Sequence, residues 1–265
     1  MLFRLVEQIC TAISALDEKE DGQAMFEQIC MARPDFLGEL QRQAKIERNK
    51  LVVPGVDLVT FVGMKYACIC LCHVKSISEI AATMVRECQM SRTDPRVRCA
   101  VVGALAYLVQ PRDLIPDDAP GGYGYIDDCV LLRVTLRECL NLTPSRVSDA
   151  AMQEKCIELL GRVVSEPVLP QLQLAVQAIS LTFQTLAMLP LETARMLAEQ
   201  IIANPLQMAT PQPAPGFQPR PAPSLDPGSW HGGVYIEHGD VIVPGGPALI
   251  GGQFTPPPLP TSFWG

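Results

Sequence analysis

Residues 104–128 read ALAYLVQPRDLIPDDAPGGYGYIDD, and this stretch decides how the chain folds. An apolar run is followed by prolines at Pro111 and Pro116, and a glycine-rich segment then leads to a pair of aspartates. Proline cannot continue inside a helix, because it lacks the N–H donor and its ring clashes with the preceding turn. The pattern therefore predicts a helix, a turn across Pro111–Gly124 and a second helix that opens at Asp127.

Both helices have capping signals at their starts. Pro95 fits a first helical turn, and Thr93 or Asp94 before it can accept a hydrogen bond from a free backbone N–H. Asp127 and Asp128 can do the same for the second helix, where they also face the positive end of the helix dipole. This interpretation gives the two aspartates a purely structural role.

The acidic residues around the turn also allow a functional interpretation. Five aspartates lie within sixteen positions: Asp113, Asp117, Asp118, Asp127 and Asp128. Converging carboxylates can hold a hard divalent cation, so the turn is a candidate metal site with ligands from Asp113, Asp117, Asp127 and Asp128. The ligand ladder of a helix-loop-helix calcium site is absent from the sequence. A third alternative is that the acids recognise a basic partner or a surface next to lipid.

This motif resembles the signature of the YkvA-like family, a domain of unknown function. The residues that carry the resemblance are Tyr107, Pro111, Asp113, Leu114, Ile115, Pro116, Asp117, Pro120, Gly124, Asp127 and Asp128. It covers about residues 95–135 of the sequence. The resemblance implies a short helical hairpin, here at about residues 95–141, in a family that is often described as membrane-associated and to which no reaction is attached.

Composition and cysteine usage favour a globular protein of a reducing compartment. The chain has 265 residues, of which 48% are hydrophobic and 18% charged, so it is long and apolar enough for a sizeable core. Its net charge of -7 argues against nucleic-acid binding, which needs a basic surface. All ten cysteines lie between Cys10 and Cys156, and the first residues resemble no secretory signal. We therefore expect buried thiols and a cytoplasmic protein, with membrane association as the alternative.

Apolar residues recur at helical spacing through residue 203, which predicts an all-α domain, a multi-helix bundle, over residues 1–203. The first break is expected at Asp21-Gly22. Residues Pro167–Leu191 contain no charged side chain, although glutamines interrupt the segment. Its expected apolar face consists of Leu172, Val176, Ile179, Phe183 and Leu186. Such a helix usually packs inside a bundle or against a second subunit, and a membrane-embedded role is the alternative.

The composition changes abruptly at Asn204. From there on the chain carries 14 of its 24 prolines and 10 of its 19 glycines, which predicts a Pro-rich linker at 204–232 and a largely extended tail at 233–265. A short β-hairpin is expected within residues 234–243. Seven tail residues are candidates for docking to a protein partner: Pro256, Pro257, Pro258, Leu259, Pro260, Phe263 and Trp264.

No sequence pattern points to a reaction. The chain has no nucleophile elbow, no phosphate-binding glycine loop and no zinc-protease helix, so we assign no catalytic residue and no cofactor beyond the candidate cation. The leading hypothesis is a non-catalytic helical adaptor or scaffold that binds protein partners, or a second copy of itself, through its bundle surface and tail. The alternatives are a membrane-associated helical protein that uses the hairpin, and a divalent-metal site at Asp113–Asp128.

Overall fold

The computed structural model describes residues 1–36, 38, 40–42, 58–90, 92–110, 113–142, 147–205, 235–237 and 240–242. Its helices, in chain order, are α1 (Leu2–Ser14), α2 (Glu20–Ala32), α3 (Leu58–Lys75), α4 (Ile77–Gln89), α5 (Pro95–Tyr107), α6 (Ile126–Asn141), α7 (Val147–Gly161), α8 (Leu169–Met188) and α9 (Leu191–Ala203). Residues 34–36 and 40–42 are helical too. A 3-10 helix, Pro120–Tyr125, leads into α6. The prediction of an all-helical bundle is confirmed for the described residues between 1 and 205.

Helix α6 lies at the centre of the bundle. It packs against α3, α4, α5, α7 and α8, and thirteen of its sixteen residues are buried. The main hydrophobic core around it draws residues from Leu2 in α1 to Ile201 in α9. A helix that is buried on every side is normally apolar all round. Here α6 also buries Asp127, Asp128 and Arg133, and each of these charged residues needs a physical explanation.

Two helices follow their predicted patterns closely. Asp94 caps α5, because its side chain accepts a 2.8 Å hydrogen bond from the backbone N–H of Arg96, and Pro95 occupies the first turn. In α8, Leu172 and Leu186 are buried. The other residues of the predicted apolar face, Val176, Ile179 and Phe183, are partly buried and pack on the core. The predicted inner face of α8 is therefore confirmed.

The predicted break at Asp21-Gly22 is wrong. Helix α2 already begins at Glu20 and continues through both residues. The turn lies one helical turn earlier, where the Asp17 carboxylate accepts hydrogen bonds from the backbone N–H groups of Lys19 and Glu20. Gly22 has a packing role instead, since a Cβ atom there would lie 3.3 Å from the sulfur of Cys68 in α3.

One stretch of the described chain, Val59–Gln89, is long and apolar enough to cross a membrane. In the fold it forms two helices, α3 and α4, that meet at Ser76. Within its apolar window 61% of the residues are buried inside the bundle. Core helices of bundles have the same length and composition, so this stretch is only weak support for membrane association.

In the tail, β1 (Tyr235–Glu237) and β2 (Asp240–Ile242) pair antiparallel, with Tyr235 opposite Ile242 and Glu237 opposite Asp240. Two such short strands form a hairpin that is marginal by itself. The rest of the predicted linker and tail after Pro205, including all seven candidate docking residues, lies outside the described residues.

Candidate metal centre

The loop between α5 and α6 is seated tightly against α2. Gly121 and Gly122 have φ values of +67° and +73°, in the left-handed region where a side chain would be strained. A Cβ atom on Gly121 would also lie 2.3 Å from the backbone nitrogen of Met25 and 2.5 Å from the carbonyl oxygen of Asp21. Gly121 therefore lets the loop backbone touch the backbone of α2 directly.

Gly124 positions the acidic part of the loop. A Cβ atom at this position would lie 2.4 Å from the carbonyl oxygen of Pro116 and 2.8 Å from the Cα atom of Asp117. Real Cβ atoms essentially never approach so closely. The absence of a side chain at Gly124 thus allows the 3-10 helix to fold back on the turn that carries Asp117.

Asp127 fixes the loop through hydrogen bonds to its carboxylate. Its Oδ2 atom accepts hydrogen bonds from the Tyr107 hydroxyl at 2.9 Å and from the backbone N–H groups of Leu114 at 3.0 Å and Ile115 at 3.4 Å. The predicted capping role is wrong for this residue. The cap position of α6 is Tyr125, which makes no side-chain cap hydrogen bond, and the donors to Asp127 come from α5 and the loop.

Asp128 has no capping role either. Its side chain is only 1% exposed, and neither of its two carboxylate oxygens has a hydrogen-bond partner. Buried carboxylates in proteins are normally paired or hydrogen-bonded, because removing a charge from water costs several kcal/mol. Neither capping nor any ion pair among the described residues accounts for a carboxylate at this position.

Three carboxylates converge at this point. Asp113, Asp117 and Asp128 each offer one oxygen, and these three atoms all lie within 4.8 Å of one another. The Oδ1 atoms of Asp113 and Asp117 are buried and have no hydrogen-bond partner, like both oxygens of Asp128. Asp127 belongs to the same acidic pocket through its unpartnered Oδ1 atom, while its Oδ2 atom holds the loop.

The electrostatics of the pocket favour the neutral acids. Burial, with the charges of Asp117 and Asp127, raises the pKa of Asp113 to about 8. Burial followed by the three neighbouring carboxylates raises the pKa of Asp128 well above its usual range. At Asp127 the effect of burial exceeds the opposite effect of the hydrogen bonds, and the pKa is raised to about 6. The pocket thus lacks positive charge, and protons or a cation must supply it.

The comparisons with known proteins point to the same segment. Residues 97–133 match the family model described as a protein of unknown function, DUF1232. This segment is YkvA-like. The resemblance read from the motif is confirmed, and the matched segment lies within the predicted range of about 95–135. No curated protein and no solved structure matches the chain.

The described residues of the YkvA-like motif have distinct places in the geometry. Asp113, Asp117 and Asp128 form the cluster, Asp127 and Tyr107 hold the loop, and Leu114 and Ile115 contribute backbone donors. Pro116 and Gly124 make the close backbone contact, and Pro120 begins the 3-10 helix. Pro111 lies outside the described residues. Asp118 is exposed and does not join the cluster.

Beside the motif, α6 carries a buried polar network that no sequence pattern indicated. The Arg133 guanidinium is 2% exposed and donates to Gln153 Oε1 at 2.7 Å, to Ser76 Oγ at 2.5 Å and to His73 Nδ1 at 3.1 Å. A guanidinium has no acceptor atom, so His73 Nδ1 must accept and the ring must be neutral. Burial and then Arg133 lower the pKa of His73 well below its usual range, in agreement with this arrangement.

All ten cysteines are free thiols; six are buried, as expected, and four are only partly buried. Helix α3 carries cysteines at alternate positions: Cys70 is fully buried, whereas Cys68 and Cys72 are half-buried on another face. Burial raises the pKa of all three thiols. They pack as neutral, weakly polar side chains.

Proposed function

We propose that the helical domain binds one divalent cation through Asp113, Asp117 and Asp128. The observation that carries this proposal is Asp128, a fully buried carboxylate whose two oxygens have no donor. Ionising Asp128 beside two other carboxylates is unfavourable without a nearby positive charge. A divalent cation provides that charge, and hard cations prefer carboxylate oxygens.

The spacing of the three ligand atoms fits calcium. Calcium binds oxygens at about 2.3–2.6 Å, so two ligands on opposite sides of the ion lie roughly 4.6–5.2 Å apart. The three carboxylate oxygens, all within 4.8 Å of one another, fit around such an ion. Magnesium needs oxygens at about 2.0–2.1 Å in a near-ideal octahedron, so it places stricter demands on the three side chains. Asp117 is partly exposed, so waters can complete the coordination shell.

The cation would fasten the loop to the helix that follows it. Asp113 and Asp117 lie on the loop, whereas Asp128 lies in the first turn of the central helix α6. A ligand that binds only the folded state stabilises it by RT ln(1 + [L]/Kd), which is about 2.7 kcal/mol at one hundred times Kd. The proposed role is therefore a cation-dependent fastening of the loop to the bundle, with no reaction assigned to it.

Isothermal titration of the metal-free full-length protein with calcium chloride tests the proposal, with magnesium chloride in a parallel titration. We expect one calcium site in the wild type and its loss in Asp128→Asn. The matched control is Asp118→Asn, which removes an equal charge from an exposed neighbour of Asp117 outside the cluster. It should bind calcium like the wild type.

The stability of the variants provides an independent readout. In the metal-free state Asp128→Asn should be as stable as the wild type or more stable, because the substitution removes a carboxylate that has no donor. Its amide can also donate to the remaining acids. A wild type that binds neither cation, or an Asp128→Asn variant that binds calcium equally well, would overturn the proposal.

A further inference from the structure

The two strands of the tail lie against the helical domain. We call β1 and β2 together the tail hairpin. Strand β2 contacts helix α3, although the two elements are far apart along the chain. A hairpin of two three-residue strands is marginal by itself, so it needs a surface that stabilises it. The contact with α3 provides such a surface.

One face of the tail hairpin combines an apolar pair with an acidic pair. The register places Tyr235 opposite Ile242 and Glu237 opposite Asp240. Alternate residues of a strand lie on the same face, so the two pairs share one face of the hairpin. The acidic pair is unfavourable in isolation, because like charges directly opposite each other destabilise a strand pair. A positive charge next to this face would therefore stabilise the hairpin.

Helix α3 offers a complementary surface. It contains two lysines, Lys65 and Lys75, and no acidic residue. Lys75 is engaged by the turn between α1 and α2, since its Nζ atom donates to the Leu16 carbonyl at 3.1 Å and lies 3.8 Å from Glu18. Lys65 is partly exposed, and its Nζ atom lies 4.7 Å from the ring centroid of Phe61, which is 40% exposed. The outward side of α3 thus presents an aromatic ring and, one turn later, a cation.

We propose that the tail hairpin docks on α3 of the same molecule, with its acidic pair at Lys65 and its apolar pair at Phe61. The spacings agree. Residues two apart along a strand are separated by about 6.7 Å, and the four residues from Phe61 to Lys65 rise by about 6 Å along the helix. The docked hairpin covers part of Val59–Gln89, the stretch that is long and apolar enough to cross a membrane.

The covalent connection favours the chain's own hairpin over a separate partner. Residues 206–234 join the end of the helical domain to β1. A flexible connection makes docking an intramolecular step, with an effective concentration of about a millimolar. A contact that would be too small to hold a separate protein can therefore hold the hairpin.

Carbodiimide cross-linking of the full-length protein, followed by mass spectrometry of its peptides, tests the contact. This reagent joins a lysine amine directly to a carboxylate that touches it. We expect a link from Lys65 to Glu237 or Asp240, and no mixed-isotope pairs from an equal mixture of 15N-labelled and unlabelled protein. Absence of the link would overturn the proposal. Mixed-isotope pairs would replace it by an exchange of hairpins between two copies.

Hydrogen exchange of the backbone amides at 235–242 provides a second test. Lys65→Glu should accelerate this exchange by about two- to fivefold, as expected for the loss of a surface ion pair. Adding Glu237→Lys and Asp240→Lys to this variant should restore slow exchange, which separates a broken contact from a disturbed bundle. The matched control is Arg195→Glu, which reverses an exposed charge on α9 and should exchange like the wild type. Equal exchange in the wild type and Lys65→Glu would contradict the proposal.

Discussion

The substitution Gly124→Ala should weaken cation binding while the helical bundle still folds. Its Cβ atom would lie 2.4 Å from the carbonyl oxygen of Pro116, whereas ordinary van der Waals contacts begin at 3.4 Å. The backbone of Pro116 and Asp117 must therefore retreat by about 1 Å, a strain that typically costs about 1–3 kcal/mol in a packed region. Metal–ligand distances tolerate only about ±0.2 Å. Asp117 should thus be lost as a ligand even if the bundle still folds.

The assay is thermal unfolding in the presence and absence of calcium. At one hundred times Kd the wild type gains about 2.7 kcal/mol, which raises Tm by roughly 5–11 °C for a domain of this size. Gly124→Ala should start from a lower Tm and show little of this increase. The substitution displaces Asp117 without changing any charge, so the loss of the Tm increase reports on the position of that ligand.

Gly103→Ala provides the matched control. A Cβ atom on Gly103, within α5, has no neighbour within 4 Å, so this alanine should raise stability by about 0.5–1 kcal/mol through its better helix propensity. Its calcium response should equal that of the wild type. If Gly124→Ala shows the full wild-type increase in Tm, then the position of Asp117 does not matter for binding and the reasoning is refuted.

Three other predictions concern the hydrogen bonds and the tail. Tyr107→Phe removes the hydroxyl donor to Asp127 and should cost about 1.5–3 kcal/mol in urea unfolding; an unchanged midpoint and slope would contradict the importance of this bond. His73 is held neutral against Arg133, so its folded pKa lies below the unfolded value and its contribution to stability is lost as the pH falls below about 6.5. The difference in unfolding free energy between the wild type and His73→Gln should therefore shift by about 1.4 kcal/mol per pH unit in that range. The raised pKa values of the aspartates act in the opposite direction, but they are common to both proteins and cancel in the difference. A difference that does not depend on pH would be the contrary result. Deleting residues 206–265 should abolish the recovery of protein partners in pull-down experiments and leave the helical circular dichroism intact, and unchanged recovery would count against the adaptor hypothesis.

Much of the fold could be read from local patterns in the sequence. The cap at Asp94, the inner face of α8 and the free cysteines followed from helical spacing, proline position and composition. The break before α2 was placed too late, because Gly22 was taken as a helix breaker although it serves close packing on Cys68. Tertiary contact overrides the local preference of glycine at such a position.

The candidate site could be predicted only in part. The sequence picked out the aspartates but could not assign them separate roles, since capping and cation binding use the same residue type near a helix start. The distinction depends on donors from elsewhere in the fold, such as the Tyr107 hydroxyl that reaches Asp127. The network of Arg133 was missed for the same reason, because His73 lies sixty positions away along the chain.

The contact between the loop and α2 limits which fragments of this protein can keep their structure. The family-matched segment 97–133 touches the backbone of α2 at Gly121, and its Tyr123 hydroxyl donates to the Val163 carbonyl at 2.8 Å. A fragment of those residues would lack partners from both sides of the sequence. Transplanting the motif into another host would thus not transfer the arrangement of its acids, and the smallest useful unit for expression extends from α1 to α9.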